Sequence, residues 1–338
     1  MIARRSFRPS VSLPTVVLRA FLGASTALLI VGLPAEHATA SVSGAAIGWG
    51  ANDFGQLGND SRTERHVPVQ VSGLTAGVSA VSAGGIHSLA LKADGSVVSW
   101  GANNSGALGD GSGMNSSVPV QVSGLTSGVV AVSAGSAHSL AVKSNGSVVG
   151  WGYNGFGQVG DGTGGAGDDV IKPVPVQVSG LTSGVVAVAG GEFHSLALKS
   201  NGSVVAWGDN AFGQLGDGTT HVRYVPVQVS GLTSGVVAIA AGAAGSMALK
   251  SNGSVVTWGD NTYGELGDGT TKSSRVPVQV SGLTSGVVAI AAGGVHNLAL
   301  KSDGSVVAWG NNGVGQLGDG TTTNRHVPVP VSGLSSGV

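Results

Sequence analysis

The dipeptide Trp-Gly divides most of this chain into units of nearly equal length. It begins at positions 49, 100, 151, 207, 258 and 309, and these six tryptophans are all that the 338 residues contain. The spacings between them are therefore 51, 51, 56, 51 and 51 residues. A fixed period of this length is typical of repeat architectures, in which each unit buries its apolar face against its neighbours.

Each unit contains four short runs with the pattern of β-strands. The first run reads Val-Pro-Val-Gln-Val, as in residues 67–71, where valines alternate with other residues at a period of two. Proline removes one backbone donor, so we expect this run at the edge of a sheet. The other runs resemble residues 287–291, 87–92 and 305–309. Asx-Gly pairs such as Asp94-Gly95 separate the last two runs and predict a two-residue hairpin turn with positive φ at both residues.

The composition excludes several other fold classes. Charged residues make up only 10%, too few for the outer faces of a helical bundle or coiled coil. A hydrophobic share of 41% excludes general disorder, and 60 glycines without a three-residue period exclude collagen. Four antiparallel strands in about 51 residues, repeated in series, predict an all-β fold, a β-propeller of four-stranded blades. The single Trp of each blade is the expected large residue of its core.

Three motifs then carry a family resemblance over residues 44–338. They are Ala-Gly-Gly-x-His-Ser-Leu-Ala-Leu-Lys, Asp/Asn-Gly-Ser-Val-Val-x-Trp-Gly and Asn-x-x-Gly-Gln-Leu-Gly-Asp-Gly-Thr. These units resemble regulator of chromosome condensation repeats, and the resemblance implies a seven-bladed propeller that serves as an interaction scaffold. The Ser-Gly-Val and Val-x-x-Trp-Gly motifs are also similar to those of exported bacterial members that inhibit β-lactamases.

The sequence departs from that family in the number of its units. Gly44 aligns with Gly304 and Val338 aligns with Val287, so the sixth unit lacks a counterpart of residues 288–303. We therefore expect about six blades in an incomplete seven-bladed ring, explained by a C-terminal truncation. A natural six-bladed ring with one imperfect blade is the alternative.

The N-terminal residues have the pattern of an export signal. Four arginines, at positions 4, 5, 8 and 19, precede an uncharged stretch at 20–33, and Ala38-Thr39-Ala40 supplies a small-residue cleavage pattern. The apolar stretch is shorter than the roughly 20 residues of a bilayer span. We expect a signal peptide at 1–40 and a secreted propeller at 41–338 without a membrane anchor. Whether the route is the general or the twin-arginine pathway stays open.

Charge and cysteine content narrow the choice of partners and cofactors. Residues 41–338 contain 12 basic and 16 acidic side chains without a basic stripe, so nucleic acid is not an expected partner. The chain has no cysteine, which excludes disulfides and thiolate metal sites. We expect a monomer that binds no cofactor.

Recurring histidines and aspartates are the most conspicuous candidate metal ligands. His87, His138, His194 and His296 occupy equivalent positions, and Gly245 takes the fifth. Packed sheets lie about 10 Å apart, whereas a zinc–imidazole bond is about 2 Å, so neighbouring histidines cannot share one ion. We expect structural, hydrogen-bonded histidines. The Gly-Asp-Gly aspartates, at positions 110, 161, 217, 268 and 319, favour turn formation over calcium binding, and only the loop at 160–169 stays a possible cation site.

Two motifs that resemble catalytic or nucleotide-binding sequences lack the required context. Residues 333–337 fit Gly-x-Ser-x-Gly but repeat a turn that reads Gly-Leu-Thr-Ser-Gly elsewhere. Residues 160–165 fit Gly-x-Gly-x-x-Gly, yet no helix is predicted after them. We therefore expect a protein that is not an enzyme.

The segments from each Trp-Gly to the next Val-Pro differ most between units, and we call them connectors. They contain seven of the twelve basic residues of 41–338, together with aromatic side chains that can anchor a protein partner. Packing of these aromatics under their own loops is the alternative. The predicted partner-binding residues are Phe54, Arg62, Arg65, Phe156, Phe212, Arg223, Tyr224, Tyr263, Arg275 and Arg325.

The predicted function is therefore an exported, non-enzymatic scaffold that binds another protein, of unknown identity, through its connectors. Guanine-nucleotide exchange, the activity of the family's namesake, is one alternative. It requires an inserted wedge, and the only insertion here is five residues of Gly and Asp. A propeller enzyme is a second alternative, but the predicted inner region offers almost no carboxylate beyond Glu192.

Overall fold

A computed structural model describes residues 16–17, 44–165 and 170–338, and within them the regular structure is entirely β. Apart from Val16–Val17, the predicted signal peptide and its cleavage point lie outside the described residues, as do Asp168 and Asp169. The strands are β1 (Val16–Val17), β2 (Ala46–Gly50), β3 (Arg65–Gln70), β4 (Val78–Ala83), β5 (His87–Lys92), β6 (Val97–Gly101), β7 (Ser116–Gln121), β8 (Val129–Ala134), β9 (His138–Lys143), β10 (Val148–Tyr153), β11 (Ile171–Gln177), β12 (Val185–Gly190), β13 (His194–Lys199), β14 (Val204–Gly208), β15 (Arg223–Gln228), β16 (Val236–Ala241), β17 (Gly245–Lys250), β18 (Val255–Gly259), β19 (Ser274–Gln279), β20 (Val287–Ala292), β21 (His296–Lys301), β22 (Val306–Gly310) and β23 (Arg325–Pro330).

These strands form five four-stranded antiparallel sheets and one three-stranded sheet. The four-stranded sheets are β4–β7, β8–β11, β12–β15, β16–β19 and β20–β23, each in sequence order from its first strand to its fourth. In the remaining sheet β2 pairs with β3 antiparallel and with the two-residue β1 in parallel. The prediction of an all-β propeller with about six blades is confirmed, and five complete sheets with one partial sheet fit an incomplete ring.

The fourth, outer strand of every complete sheet is a proline-containing run. In the sheet β12–β15, for example, the run around Pro226 pairs only with β14 and leaves its other edge unpaired within the sheet. The predicted edge position of the first run is therefore confirmed. Because this run comes from the next sequence unit, each sheet contains strands of two successive units.

The hairpin turn between second and third strands differs from the prediction. Among the described residues Asp60 is the only non-glycine with positive φ, so Asp94 keeps an ordinary backbone while Gly95 has φ 78°. The Lys92 N–H donates to Ser96 O at 2.8 Å, and this pair encloses three residues rather than two. The predicted two-residue turn is wrong, because Asp94 Oδ1 accepts the Ser96 N–H at 2.9 Å and stabilises a three-residue loop in which only the glycine needs positive φ.

Each complete sheet inserts one fully buried tryptophan against the sheet before it. Trp207 is 0% exposed, and its Nε1 donates to the backbone oxygen of Gln158 at 2.8 Å. A side chain at Gly160 would place its Cβ 2.5 Å from Trp207 Nε1, so only glycine leaves room for the ring. The predicted role of Trp as the core residue of each blade is confirmed for the five complete sheets. Burial of a tryptophan contributes several kcal/mol, so these contacts are a main source of stability.

Inner histidines form a second bond between neighbouring sheets. The Nε2 atom of His138 lies 2.9 Å from Ser195 Oγ, and Ser195 Oγ donates to Gln158 O at 2.8 Å. Since the serine hydrogen is used, the histidine donates from Nε2. Burial lowers the pKa of His138 to about 3, so the ring is neutral near pH 7. Equivalent pairs join His87 to Ser139 and His194 to Ser246, which confirms the predicted hydrogen-bonded histidine at three of the four positions, the fourth being His296.

The sheet β16–β19 has no histidine at this position, and the sheet that follows it has no serine to pair with one. Gly245 occupies the histidine position, and the serine expected opposite it is replaced by Asn297. Asn297 Nδ2 donates to Glu265 O at 2.8 Å and so preserves the bond that serine makes elsewhere. The two residues of the histidine–serine pair are therefore absent together.

Candidate functional site

The connectors all emerge at one end of the sheets. Since the four strands alternate in direction, the turn from first to second strand and the connector from third to fourth strand lie at the same end. We call this end the connector face. Its centre is a funnel lined by inner turns, among them Gly84, Ser136, Gly191 and Gly242. Glu192 is the only charged residue among those described that line this funnel.

A buried asparagine organises each connector. In the fourth connector, Asn210 Oδ1 accepts the Leu215 N–H at 3.0 Å, and its Nδ2 donates to Asp217 Oδ1 at 3.1 Å. The same asparagine recurs, fully or almost fully buried, in all six connectors, at positions 52, 103, 154, 210, 261 and 312. The backbone around this asparagine is therefore held by the same bond in each connector, while the exposed side chains vary.

The aspartate of Gly-Asp-Gly ties the connector to the following strand. Asp217 accepts hydrogen bonds from the backbone N–H and the hydroxyl of Thr219. It also forms an ion pair with Arg223, whose Nη2 lies 2.8 Å from Asp217 Oδ2. Burial alone would raise the pKa of Asp217, but the hydrogen bonds outweigh it, and the pKa lies below its usual value. These contacts stabilise the turn that contains the aspartate, as the sequence predicts. The groups of three or more ligand-type side chains that a metal site needs do not occur among the residues described.

The loop at 160–169 follows the same rule in its described part. Asp161 Oδ2 lies 3.2 Å from Lys172 Nζ, and both side chains are mostly buried. A lysine in this position occupies the place that a cation would take beside the carboxylate. Asp168 and Asp169 lie outside the described residues, so the possible cation site stays a prediction.

The predicted partner-binding residues divide into two groups on this face. Exposed side chains include Phe156, Phe212, Tyr224 and Tyr263, which are 37%, 48%, 39% and 39% exposed. The exposed group also contains Arg62 and Arg275. The half-buried group consists of Phe54, Arg65, Arg223 and Arg325.

Ion pairing explains two of the half-buried residues. Arg223 binds Asp217, and Arg325 Nε lies 2.7 Å from Asp319 Oδ2. Both arginines begin an outer strand and pull it onto the connector before it. Tyr224 follows Arg223 and packs on the preceding connector, where a Cβ at Gly157 would lie 2.5 Å from Tyr224 Cδ1. Tyr224 therefore joins neighbouring sheets, whereas the two arginines bind within their own sheet.

Three aromatic side chains form a cluster at the boundary of two sheets that was not predicted from the sequence. Tyr153, Phe156 and Phe193 lie with ring centroids 5.1–6.4 Å apart in tilted and edge-on arrangements. Tyr153 and Phe156 belong to one sheet and its connector, whereas Phe193 lies in the inner turn of the next. The available signal was an aromatic residue directly after Trp151-Gly152 and directly before His194, where other units have smaller side chains.

The two motifs that resemble enzyme sequences lie in turns and connectors. Residues 333–337 form the turn after β23, and residues 160–165 belong to a connector. The described residues contain no α-helix that could follow either motif, and none long and apolar enough to cross a membrane.

Comparison with known proteins agrees with this architecture. The family model described as the RCC1-like domain matches residues 35–338. The ultraviolet-B receptor UVR8 of Arabidopsis thaliana is 32% identical over 308 residues, which are 89% of this chain and 69% of the receptor. The human E3 ubiquitin-protein ligase HERC2 is 39% identical over 276 residues, or 79% of this chain, but this chain spans only 6% of the ligase's length.

Solved structures show the same fold. Human WBSCR16 superposes with a TM-score of 0.77 at 27% identity, covering 96% of this chain and 83% of WBSCR16. Prp20p from Saccharomyces cerevisiae, described together with its binding to Gsp1p and histones, gives a TM-score of 0.71 at 25% identity over 84% of this chain and 73% of Prp20p. The chain therefore belongs to the RCC1-like domain family of β-propellers.

Proposed function

We propose that this chain is an exported, non-catalytic propeller that binds another protein through its connector face. The observation that carries this proposal is the exposure of aromatic side chains on connectors with a fixed backbone. Phe156, Phe212 and Tyr263 are 37–48% exposed, although the connectors that bear them are held by buried asparagines. Rigidly presented aromatic residues are typical anchors of protein interfaces, because little side-chain entropy is lost on binding.

The opposite face differs in a way that supports this choice. It presents near-identical turns and one lysine from each second strand, at positions 92, 143, 199, 250 and 301. A surface repeated five times with the same residues offers no feature that would select one partner. The structural neighbour Prp20p binds Gsp1p and histones, and we extend protein binding, but not these partners, to this chain.

The absence of catalysis is also part of this proposal. The funnel has one carboxylate among its described lining residues, Glu192, whereas acid–base hydrolysis commonly needs a pair. A second proposed function is not supported by any particular contact.

Binding is tested with two matched triple variants of residues 41–338. Phe156→Ala, Phe212→Ala and Tyr263→Ala remove exposed connector aromatics, whereas Lys143→Ala, Lys199→Ala and Lys250→Ala alter the opposite face. Proteins captured from culture medium by the unmodified chain are purified, and their affinity for each variant is measured. We expect the aromatic variant to lose at least tenfold in affinity and the lysine variant to keep it. Equal affinity for both variants would contradict the proposal.

Export is tested separately by N-terminal sequencing of the expressed protein. We expect the secreted product to begin at Ser41. A cytosolic product that retains Met1 would refute export without affecting the binding proposal.

A further inference from the structure

One position inside the connectors carries a carboxylic acid where other units carry an amide. Positions 56, 158, 214 and 316 are glutamine and position 107 is alanine, whereas position 265 is glutamate. Glu265 is almost fully buried, with 6% of its surface exposed. A buried carboxyl group in an amide site changes the hydrogen bonding available to its neighbours.

The amide in the fourth connector shows what this position does. Gln214 Oε1 accepts the backbone N–H of Phe212 at 2.9 Å, and Gln214 Nε2 donates to Asp209 Oδ2 at 2.8 Å. The sixth connector repeats the arrangement, with Gln316 between the Val314 N–H and Asn311 Oδ1. In these two connectors the side chain links the residue at the tip to the residue that follows Trp-Gly, whereas Gln158 in the third connector binds only the Phe156 N–H.

Glu265 makes only the first of these two bonds. Its Oε2 accepts the Tyr263 N–H at 2.8 Å, while its Oε1 is buried without a hydrogen-bond partner. Asp260 occupies the position of Asp209, but its Oδ1 accepts from the Asn261 N–H and the Thr262 hydroxyl instead. Two ionised carboxylates cannot bond to each other, whereas a proton on Oε1 supplies the donor that glutamine has in its amide.

An ionised Glu265 would have no ion-pair partner among the described residues, where neither Glu265 nor Asp260 forms an ion pair with lysine or arginine. The titratable groups on the same connector include Asp260, Tyr263 and Lys272, the last beside the Ser273 hydroxyl that donates to Asp260. On neighbouring strands they are His296, beside the Asn297 that donates to Glu265 O, and His326 of β23, whose ring lies against Gly264. The backbone oxygen of Glu265 accepts from Trp309 Nε1 and Asn297 Nδ2 of the next sheet.

We propose that Glu265 is a proton-dependent positioning residue for Tyr263. When protonated, Glu265 donates from Oε1 to the Asp260 carboxylate and holds the Tyr263 N–H with Oε2, as Gln214 does for Phe212. When ionised, it is a buried charge beside a second carboxylate, so it moves toward solvent and releases the Tyr263 N–H. Because Tyr263 is one of the exposed aromatics of the connector face, partner binding becomes pH-dependent there, a consequence that rests on the proposed function.

The direction of the pKa shift of Glu265 agrees with this geometry. Burial raises the pKa of Glu265 to about 7, and the charge of Asp260 acts the same way against two lowering backbone hydrogen bonds. A carboxyl group with a raised pKa in the folded state stabilises the protein fully at low pH. That contribution is lost as pH rises from the unfolded-state pKa through about 7. The state in which Glu265 is protonated and holds the Tyr263 N–H is thus the form favoured at acidic pH.

Selective 15N-tyrosine labelling tests the proposal without any partner. The chain has three tyrosines, so Tyr153 and Tyr224 are internal references for Tyr263. Between pH 5 and pH 9 we expect the Tyr263 amide resonance to shift with a midpoint near 7, while the two references stay nearly constant. A Tyr263 resonance that does not titrate would overturn the proposal.

Three variants assign the titration to its group. Glu265→Gln should abolish the shift of Tyr263 and raise the melting temperature at pH 8 but not at pH 4.5. Gln214→Glu, examined with 15N-phenylalanine, should install a similar titration at Phe212, because Asp209 is the equivalent of Asp260. A shift that survives in Glu265→Gln and disappears in His326→Gln would assign it to the histidine and refute the proposal. Since no partner is used, failure here leaves the binding proposal intact, and failure of binding leaves this one intact.

Discussion

The sheets β16–β19 and β20–β23 have nearly the same sequence, but only the first is covered by a following sheet among the described residues. In the sheet β16–β19, Leu283 and Val280 are 4% and 0% exposed beneath Trp309 of the next sheet. In the sheet β20–β23, the equivalent Leu334 is 39% exposed and Val331 is half-buried. Apolar residues of one blade are therefore core only where the next sheet covers them, and stability resides largely in the contacts between sheets.

The glycines under the tryptophans show the same difference. A Cβ at Gly267 would lie 2.8 Å from Trp309, whereas a Cβ at Gly318 would meet only Val331 within 4 Å. The neighbouring sheet thus adds the close contact at Gly267, whereas positive φ, 63° at Gly267 and 64° at Gly318, favours glycine at both positions. The predictions below use this pair of surroundings, and they run from the largest expected effect to the smallest.

The largest effect is expected at a covered interface. Trp207→Ala removes a fully buried ring and its bond to Gln158 O, so it should lower the free energy of unfolding by about 3–5 kcal/mol. Urea unfolding followed by circular dichroism measures this change. A loss below about 1 kcal/mol would show that contacts between sheets are not the main source of stability.

A matched pair of leucines tests the comparison directly. Leu283→Ala should cost about 2–4 kcal/mol, because it leaves a cavity between two sheets. Leu334→Ala should cost less than about 1 kcal/mol, since its side chain is already partly exposed. The two melting temperatures give the answer. Similar losses would mean that the face of β20–β23 is covered in solution.

Acid should act on the covered interfaces through their histidines. Burial lowers the pKa of His87 and His194 to about 4 and that of His138 to about 3. The unfolded chain therefore binds more protons below pH 6.5, and stability falls as pH decreases from 6.5 toward 4, by about 3 kcal/mol for each of these histidines. Thermal melts at several pH values measure this slope. His194→Gln should reduce it, and an unchanged slope would contradict the argument.

The smallest effect is expected at an ion pair that both sheet environments share. Arg223→Ala and Arg325→Ala break pairs with Asp217 and Asp319 that have nearly the same geometry. Both arginines are about one-third exposed, so each change should cost only about 0.5–1 kcal/mol, and the two costs should agree. Double-mutant cycles with Asp217→Asn and Asp319→Asn isolate the pair energies. A clearly smaller coupling for Arg325 would extend the difference between the sheets to their connectors.

Local sequence patterns predicted the fold well, but the candidate site only in part. The Trp-Gly period, the edge prolines and the recurring histidines each reflect one unit and its nearest neighbour. The φ of Asp94 was mispredicted because a side-chain bond to Ser96 selects the turn. The contact of Phe193 with Tyr153 and Phe156 joins different sheets, and no periodicity encodes it. The glutamate at position 265 is visible in the sequence, but its effect on hydrogen bonding depends on the position of Asp260 in the fold.

The bonds from each tryptophan and inner serine to the preceding connector end on a main-chain oxygen. Ala107 O accepts from Trp151 Nε1 and Ser139 Oγ at 2.9 and 3.0 Å, just as glutamine oxygens do in other units. Every amino acid carries that oxygen, so no substitution at this position can delete the acceptor. This position is consequently free to vary without detaching one blade from the next. A library randomised at this position alone, with the connector glycines and buried asparagines kept, should therefore retain the fold in most of its members.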